Sequence, residues 1–216
     1  WSIFGLSILS VENRFIDYFK ADTEIHKGMK VIDQSLGGTT PLDVVISFPK
    51  LKENAIAAKA YEDLDCFIDD CSDIPTAEAL ITPKRLELLQ QVQGILESIH
   101  GVGKVLSFND TMKVLAIANK GPLNSVEIAL VDKVFPDDLR PLLIEPYVDM
   151  KAYEFRITLR IIDSDPQLVR ADLMRTIEQR LVNETALEAD QIQIGGMLKL
   201  YNNMLQSLFD SQIRTM

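Results

Sequence analysis

The two cysteines, Cys66 and Cys71, are separated by four residues and are the side chains best suited to covalent chemistry. With only His26 and His100 elsewhere, they fall short of the four ligands that a structural zinc site needs. In an oxidising compartment they could close a small disulfide ring worth about 2 kcal/mol, whereas in the cytosol they would be free thiols. The sequence alone leaves both states open.

Both cysteines lie inside an acidic segment, Glu53 to Glu78, which holds eight acids and one base and so carries −7 of the net charge of −10. Four of its aspartates could in principle bind a cation: Asp63, Asp65, Asp69 and Asp70. A calcium loop, however, needs a further acidic ligand where Phe67 stands, followed by a glycine that is absent. The segment therefore favours a solvated loop over a metal site.

The run from His100 to Lys104 resembles a phosphate-binding loop only superficially. Ser98 stands where that loop needs its first glycine, and Val105 follows the lysine in place of Ser or Thr. The acid pairs Asp137/Asp138 and Asp163/Asp165 each adjoin a proline, which favours roles in turns and caps. With no activated nucleophile or metal set in view, we expect no enzyme, no metal and no cofactor.

The spacing of apolar residues predicts alternating helices and strands. Helices are expected over 13–34, 82–99, 112–118, 126–134, 165–181 and 197–208, and strands over 42–48, 104–108, 153–161 and 191–195. Thr82 and Asp165 are the predicted N-caps, each followed by a proline. His100 is expected in the last turn of its helix, where its side chain would interact favourably with the helix dipole.

This order of elements predicts an α+β fold, namely a ferredoxin-like (split βαβ) sandwich with a helical insertion at 110–147 and an acidic insertion at 50–81. The alternative to a single sandwich is a division into two small α/β subdomains. The net charge of −10 argues against nucleic-acid binding, which needs a basic surface. No apolar run reaches the roughly 18 residues that a membrane-spanning helix requires.

Five segments, taken in order, carry a resemblance to a known family. They are Val11–Lys20 with Gly38–Asp43, Val102–Ser107, Leu143–Tyr147 and Gly196–Phe209, the last continuing to Ile213. Together they resemble the extracytoplasmic loops of resistance-nodulation-division (RND) exporters, in particular the MMPL-like branch. The acidic segment has no counterpart in this resemblance.

The resemblance implies that residues 1–10 end a preceding membrane helix, 11–209 form a periplasmic porter domain and 210–216 lead into the next membrane helix. Tyr201–Gln206 favours the second of the two large loops. The implied function is the substrate path of a proton-driven exporter of hydrophobic or lipid-like compounds at the bacterial inner membrane. Apolar side chains in a cleft, Met and Phe above all, are expected to contact substrate.

The implied partners are the other periplasmic loop and the membrane helices of the same protein, together with a homo-oligomer or a periplasmic accessory protein. The alternative is a free-standing ferredoxin-like module that binds a ligand or regulates another protein. An enzyme is the least favoured class, because it would need a site that the motifs do not indicate.

Overall fold

The computed structural model describes Ile16, residues 19–49, residues 80–123, Ile128, Val131, Pro136 and residues 138–214. The helices are α1 Glu24–Ser35, α2 Pro83–Glu97, α3 Phe108–Ala118, α4 Arg140–Leu143, α5 Arg170–Glu184 and α6 Met197–Arg214, with a 3₁₀ turn at Ala189–Gln191. The strands are β1 Thr40–Ser47, β2 Val102–Leu106, β3 Val148–Asp149, β4 Glu154–Ile161 and β5 Ile192–Gly195.

The five strands form one antiparallel sheet in the order β2-β4-β1-β5, and the short β3 pairs with β4. In the β2–β4 pair, Val105 lies opposite Leu159 and Lys104 opposite Arg160. β4 alternates as predicted: Phe155, Ile157, Leu159 and Ile161 are all fully buried. The predicted α+β class is therefore confirmed.

The start of α1 differs from the prediction. Thr23 caps the helix, since its Oγ1 accepts a hydrogen bond from the backbone N–H of His26 at 3.3 Å. The backbone N–H of Thr23 donates to the carbonyl of Lys20, which makes a turn where a helix was expected. The helix begins at Glu24, so the prediction was wrong for residues 19–23, and residues 13–15, 17 and 18 of the predicted helix lie outside the described residues.

The start of α5 is also later than predicted. The Asp165 carboxylate accepts a hydrogen bond from the N–H of Gln167 at 2.9 Å and so closes a local turn instead of capping the helix. The helix begins at Arg170, and Val169 occupies the N-cap position without a side-chain bond. Its predicted apolar stripe is confirmed from Leu173 through Ile177 to Leu181.

Around α2 the prediction is partly right. Thr82 is the N-cap, because its Oγ1 accepts a hydrogen bond from the N–H of Arg85 at 3.3 Å. The helix ends at Glu97, so His100 lies beyond it and not in its last turn. The following strand ends at Leu106, two residues earlier than predicted, because Ser107 forms a capping box that starts α3 at Phe108, four residues before the predicted Met112.

The chain divides into two compact units whose boundaries fall within β1, α2 and β4. The first unit contains the described residues up to Val45, Val92–Leu106 and the described residues from Ile157 onward. Its core consists of fully buried apolar side chains: Leu42, Val44, Val92, Leu96, Ile157, Leu159, Ile161, Ile177 and Leu181. Within this unit, α5 and α6 contact β5 and each other.

The second unit contains the described residues within Ile46–Gln91 and Ser107–Arg156. Its core contains an aromatic cluster among buried aliphatic side chains: the Phe155 ring lies 5.8 Å from Phe48 in an edge-to-face arrangement and 6.2 Å from Phe108. The guanidinium of Arg85 stacks 4.7 Å from the Phe48 ring centroid and donates to the carbonyl of Leu80.

Two glycines let the turn after α1 pack closely in the first unit. The N–H of Gly38 donates to the carbonyl of Asp33 at 2.7 Å, which closes a Schellman-type helix end. Gly38 has a φ of 97°, and a Cβ there would lie 2.6 Å from the carbonyl carbon of Ile161. A Cβ on Gly103 would overlap the carbonyl of Gly37, so this turn meets β2 backbone to backbone.

Candidate functional site

A cleft of about 510 Å³ lies in the first unit, between the end of α1, the start of β1, the loop after β4 and the start of α6. Among the residues that the structure describes, its polar lining consists of Asp33, Thr39, Thr40, Asp163, Ser164 and Arg170. The apolar lining residues of the same described part are Ile16, Met29, Ile32, Pro41, Met197 and Leu198. The volume falls within the range of about 300–1,000 Å³ that is typical of small-molecule sites.

Asp33 is the polar centre of the cleft. Oδ1 of its carboxylate accepts hydrogen bonds from the N–H of Thr39 at 2.8 Å and from the Thr39 hydroxyl at 2.6 Å. Oδ2 accepts from the N–H of Ser164 at 2.8 Å. The side chain is only 2% exposed, and it ties the end of α1 to the start of β1 and to the loop after β4. One buried carboxylate therefore holds three cleft segments together.

The pKa of the Asp33 carboxyl is lowered from its ordinary value of 3.8. Burial by itself raises this pKa, but the hydrogen bonds from Thr39 and from the backbone of Ser164 outweigh burial because they stabilise the charged form. The Ser164 hydroxyl acts in the same direction without reaching hydrogen-bonding geometry. Asp33 is thus a buried anion at neutral pH.

Ser164 contributes an unsatisfied group to the buried polar part of the cleft, which consists of Asp33, Asp163, Ser164 and Arg170 and is called the floor below. Its backbone N–H is bonded to Asp33, but its buried Oγ has no hydrogen-bond partner among the described residues. A buried hydroxyl without a partner costs about 1–3 kcal/mol, so native proteins seldom retain one without a reason. This hydroxyl is the polar atom that a bound molecule would satisfy.

A buried ion pair completes the floor. The Arg170 guanidinium, on the first residue of α5, donates to the Asp163 carboxylate, and both side chains are less than a tenth exposed. Because the pair is neutral as a whole, Asp33 carries the net charge of the polar lining residues that the structure describes. Breaking such a pair by removing one partner typically costs about 3–5 kcal/mol.

The apolar wall is partly open. Leu198 and Ile16 are buried, whereas Ile32 and Met197 line the cleft and are still 50% and 60% exposed. Exposed apolar residues continue along the same helices away from the cleft: Ile25 and Val31 on α1 with Leu36 at its C-cap, and Leu200, Met204 and Leu208 on α6. The mouth of the cleft is therefore an apolar surface in contact with solvent.

His26 positions the wall at Ile16. Its Nδ1 lies 3.2 Å from the carbonyl of Ile16 and 3.2 Å from the carbonyl of Phe19. Since carbonyl oxygens only accept hydrogen bonds, Nδ1 must carry the proton and donate to both. The imidazole thereby fixes the chain that brings Ile16 over α1.

Most of the candidate site residues named from the sequence do not line the described part of the cleft. Cys66, Cys71 and the aspartates of the acidic segment lie outside the described residues. Nε2 of His100 lies 3.3 Å from Asp165 at an exposed position, and the following glycine turns the chain into β2. In the part of the chain that the structure describes, no group of three or more His, Cys, Asp or Glu is placed to bind a metal ion.

Asp163 is the exception, since it belongs to the cleft through its ion pair instead of serving only in a turn. Sequence reasoning missed Asp33, Ser164 and Arg170. A signal existed for two of them: Asp33 lies four residues after Met29 on the apolar side of α1, and Arg170 opens the buried stripe of α5. A charged residue on a buried helix face indicates a paired or functional group.

No helix within the described residues is both long enough and apolar enough to cross a bilayer. No protein-family model matches this sequence, and no curated protein matches it significantly. The cleft is therefore interpreted on its own geometry: an open apolar wall above a floor that holds one net buried negative charge and one unsatisfied hydroxyl.

Proposed function

We propose that this chain is the periplasmic substrate-path domain of a proton-driven exporter of the RND superfamily, of the MMPL-like branch, and that it passes hydrophobic or lipid-like compounds. The observation that carries the proposal is the cleft with its open apolar mouth at Ile32 and Met197. A transport path needs a site that admits apolar molecules and releases them again, and a half-exposed apolar wall suits brief binding.

The connectivity of the sheet supports a ferredoxin-like arrangement for this domain. In a split βαβ unit, the two strands that a helix connects are separated by one other strand. α2 connects β1 to β2 with β4 between them, and α5 connects β4 to β5 with β1 between them. Two such interleaved units are what the porter architecture requires, with residues 110–147 as the insertion.

The chemistry of the cleft favours binding over catalysis. The Ser164 hydroxyl has no histidine or lysine beside it among the residues that line the cleft, and the neighbouring Asp33 is a weak base because its pKa is lowered. We therefore propose that the domain has no enzymatic activity of its own. Conformational change in the rest of the protein would open and close the cleft.

The proposed partners are the membrane helices and the other periplasmic loop of the same protein, and beyond them a homo-oligomer or a periplasmic accessory protein. The exposed apolar residues Leu36 at the C-cap of α1 and Leu200 on α6 support this proposal, because they offer surface that such partners would cover. The proposed location is the periplasmic face of a bacterial inner membrane.

The test uses the whole reading frame that contains this chain, expressed in cells loaded with the apolar dye Nile red. Ile32→Trp should block the mouth and slow dye export severalfold, since Ile32 lines the cleft and is exposed enough to accept a larger ring. Val31→Trp is the matched control, because Val31 is exposed on the same helix and does not line the cleft. Equal export by both variants and the wild type would refute the proposal.

A free-standing ligand-binding module is the second candidate. The observation that favours it is that the whole cleft lies within one unit that has its own core. A reading frame without apolar helices on either side of this chain would decide for the module and against the exporter. The module should then show a saturable rise in melting temperature with a small apolar ligand.

A further inference from the structure

We propose that the cleft selects a hydrophobic amine, that is, an amphiphile with an apolar tail and a protonated amino head. This inference rests on the proposed function in that it names the class of compound that the substrate path takes. It depends on three features of the same floor: a net charge, an unsatisfied hydroxyl and an apolar wall directly above them.

The charge of the floor sets the sign of the head. Asp163 and Arg170 neutralise each other, and Asp33 is left as a buried carboxylate with no ion-pair partner among the described residues that line the cleft. At a buried site a charge is screened far less than in water, so a cationic head is attracted and a carboxylate head is repelled.

The Ser164 hydroxyl supplies the directional contact. Its Oγ is buried and without a partner among the described residues, and the residue lines the cleft next to Asp33. An ammonium group offers three N–H donors, and rotation about χ1 of the serine would turn Oγ toward one of them. The three hydrogen bonds that Asp33 already accepts keep the carboxylate ionised and fixed behind this hydroxyl.

The apolar wall sets the tail. Met29 and Leu198 lie within the cleft, and Ile32 and Met197 extend it to the surface, so a chain of methylene groups can leave the floor along an apolar track. Methionine adapts its shape to tails of different branching, which favours a class of compounds over a single one.

The experiment compares three ligands with the same ten-carbon tail: decylammonium chloride, decanol and sodium decanoate. Each is added to the chain below its micelle concentration at neutral pH, and binding is measured by calorimetry. We expect decylammonium to bind about tenfold more tightly than decanol, with decanoate weakest. Equal affinities, or tighter binding of decanoate, would overturn the inference.

Two variants locate the effect. Ser164→Ala should weaken decylammonium severalfold and leave the fold intact, because it removes a hydroxyl that has no partner in the described part of the chain. Ser98→Ala, at an exposed serine of the same unit, is the matched control and should leave binding unchanged. Asp33→Asn should remove the preference for the amine over decanol.

Should Asp33→Asn fail to fold, NMR spectra of the labelled wild-type chain replace it. Decylammonium should then shift the amide signals of Thr39 and Ser164 and leave that of Thr111 in the second unit unchanged; shifts only outside the cleft would overturn the inference. If Ile32→Trp slows dye export but the chain does not prefer decylammonium, the exporter proposal stands and only this inference is refuted. If the chain prefers decylammonium but Ile32→Trp exports dye normally, this inference stands and only the exporter proposal is refuted.

Discussion

Asp33 is the residue on which the geometry of the cleft depends, since its two oxygens bind the backbone at positions 39 and 164 and the hydroxyl of Thr39. If the carboxylate were removed, the buried N–H of Ser164 would be left unsatisfied, and both Thr39 donors would lose their acceptor. Hydrogen bonds to a charged group contribute about 1.5–3 kcal/mol each, and they are not additive when they share one acceptor.

Asp33→Ala should therefore lower the free energy of unfolding by about 2–4 kcal/mol, as measured by urea denaturation. Asp172→Ala is the matched control, because Asp172 is exposed and pairs with the exposed Arg175 on the same helix. It should change stability by less than about 0.5 kcal/mol. Similar losses for the two variants would contradict the role given to Asp33.

The lowered pKa of Asp33 also predicts how acid acts on the protein. Because the folded-state pKa lies below the ordinary value of 3.8, the unfolded chain takes up the proton first, and stability falls as the pH drops. The contribution of Asp33 is complete above about pH 4 and is lost as the pH falls through the folded-state pKa. Asp33→Asn should show a shallower loss of stability below pH 4 than the wild type. Parallel curves would rule this out.

The grouping of the lining residues into one cleft could not have been predicted from the sequence, although the positions of Asp33 and Arg170 on their helices gave a signal for each alone. Asp33, Ser164 and Arg170 come from separate segments, and no spacing within one segment brings them together. Asp163 was expected in a turn, and the structure confirms this turn. Its pairing with Arg170 depends on where α5 begins, and that position was predicted four residues too early at Pro166.

At the scale of elements, the period of the apolar residues correctly predicted which faces of β4 and α5 are buried. The alternation in β4 and the i+4 stripe of α5 were correct, because burial of one face imposes those periods. The ends of elements were less predictable, since they depend on single hydrogen bonds. Thr23 starts α1 by capping it, although apolar residues at helical spacing precede it in the sequence.

The turn after α1 provides a paired test at this scale. Gly38→Ala should destabilise the fold by more than about 1 kcal/mol, because φ is 97° and the added Cβ would meet the backbone of Ile161. Gly94→Ala in the middle of α2 should stabilise it by about 0.5–1 kcal/mol, since a Cβ there meets nothing within 4 Å. Chemical denaturation of both variants should give shifts of opposite sign; shifts of the same sign would contradict this account.

The last helix should be less stable than the sheet. Leu200, Met204 and Leu208 on α6 are about half exposed or more, whereas β4 lies between two strands with its apolar side chains fully buried. Hydrogen exchange of the isolated chain should be at least about tenfold faster for the amides of Met197–Phe209 than for those of Arg156–Ile162. Equal protection would indicate that α6 is covered more fully than its exposure implies.

At the scale of the whole molecule, the net charge of −10 separates into a segment at 53–78 with −7 and a nearly balanced remainder. The cleft reproduces this on a small scale, with one uncompensated acid above a balanced ion pair. Negative charge therefore marks the cleft and the acidic segment alike, which is consistent with the proposed preference for cations.

The proposed periplasmic location predicts a bridge between Cys66 and Cys71, which lie outside the described residues. In an oxidising compartment these two thiols should be joined, because only four residues separate them and the chain has no other cysteine. Thiol titration of unreduced protein from its native compartment should find no free thiol. Two free thiols would exclude the bridge and count against the location.

The contact between Gly37 and Gly103 has a consequence for recognising relatives of this chain. Because a side chain at position 103 would overlap the carbonyl of Gly37, this position should stay glycine for as long as the turn keeps its path. A glycine pair followed, across a strand and a helix, by a glycine at the second position of the next strand is therefore a signature imposed by backbone sterics. It should outlast general sequence identity during divergence, and it offers a criterion for finding distant members where overall similarity has faded.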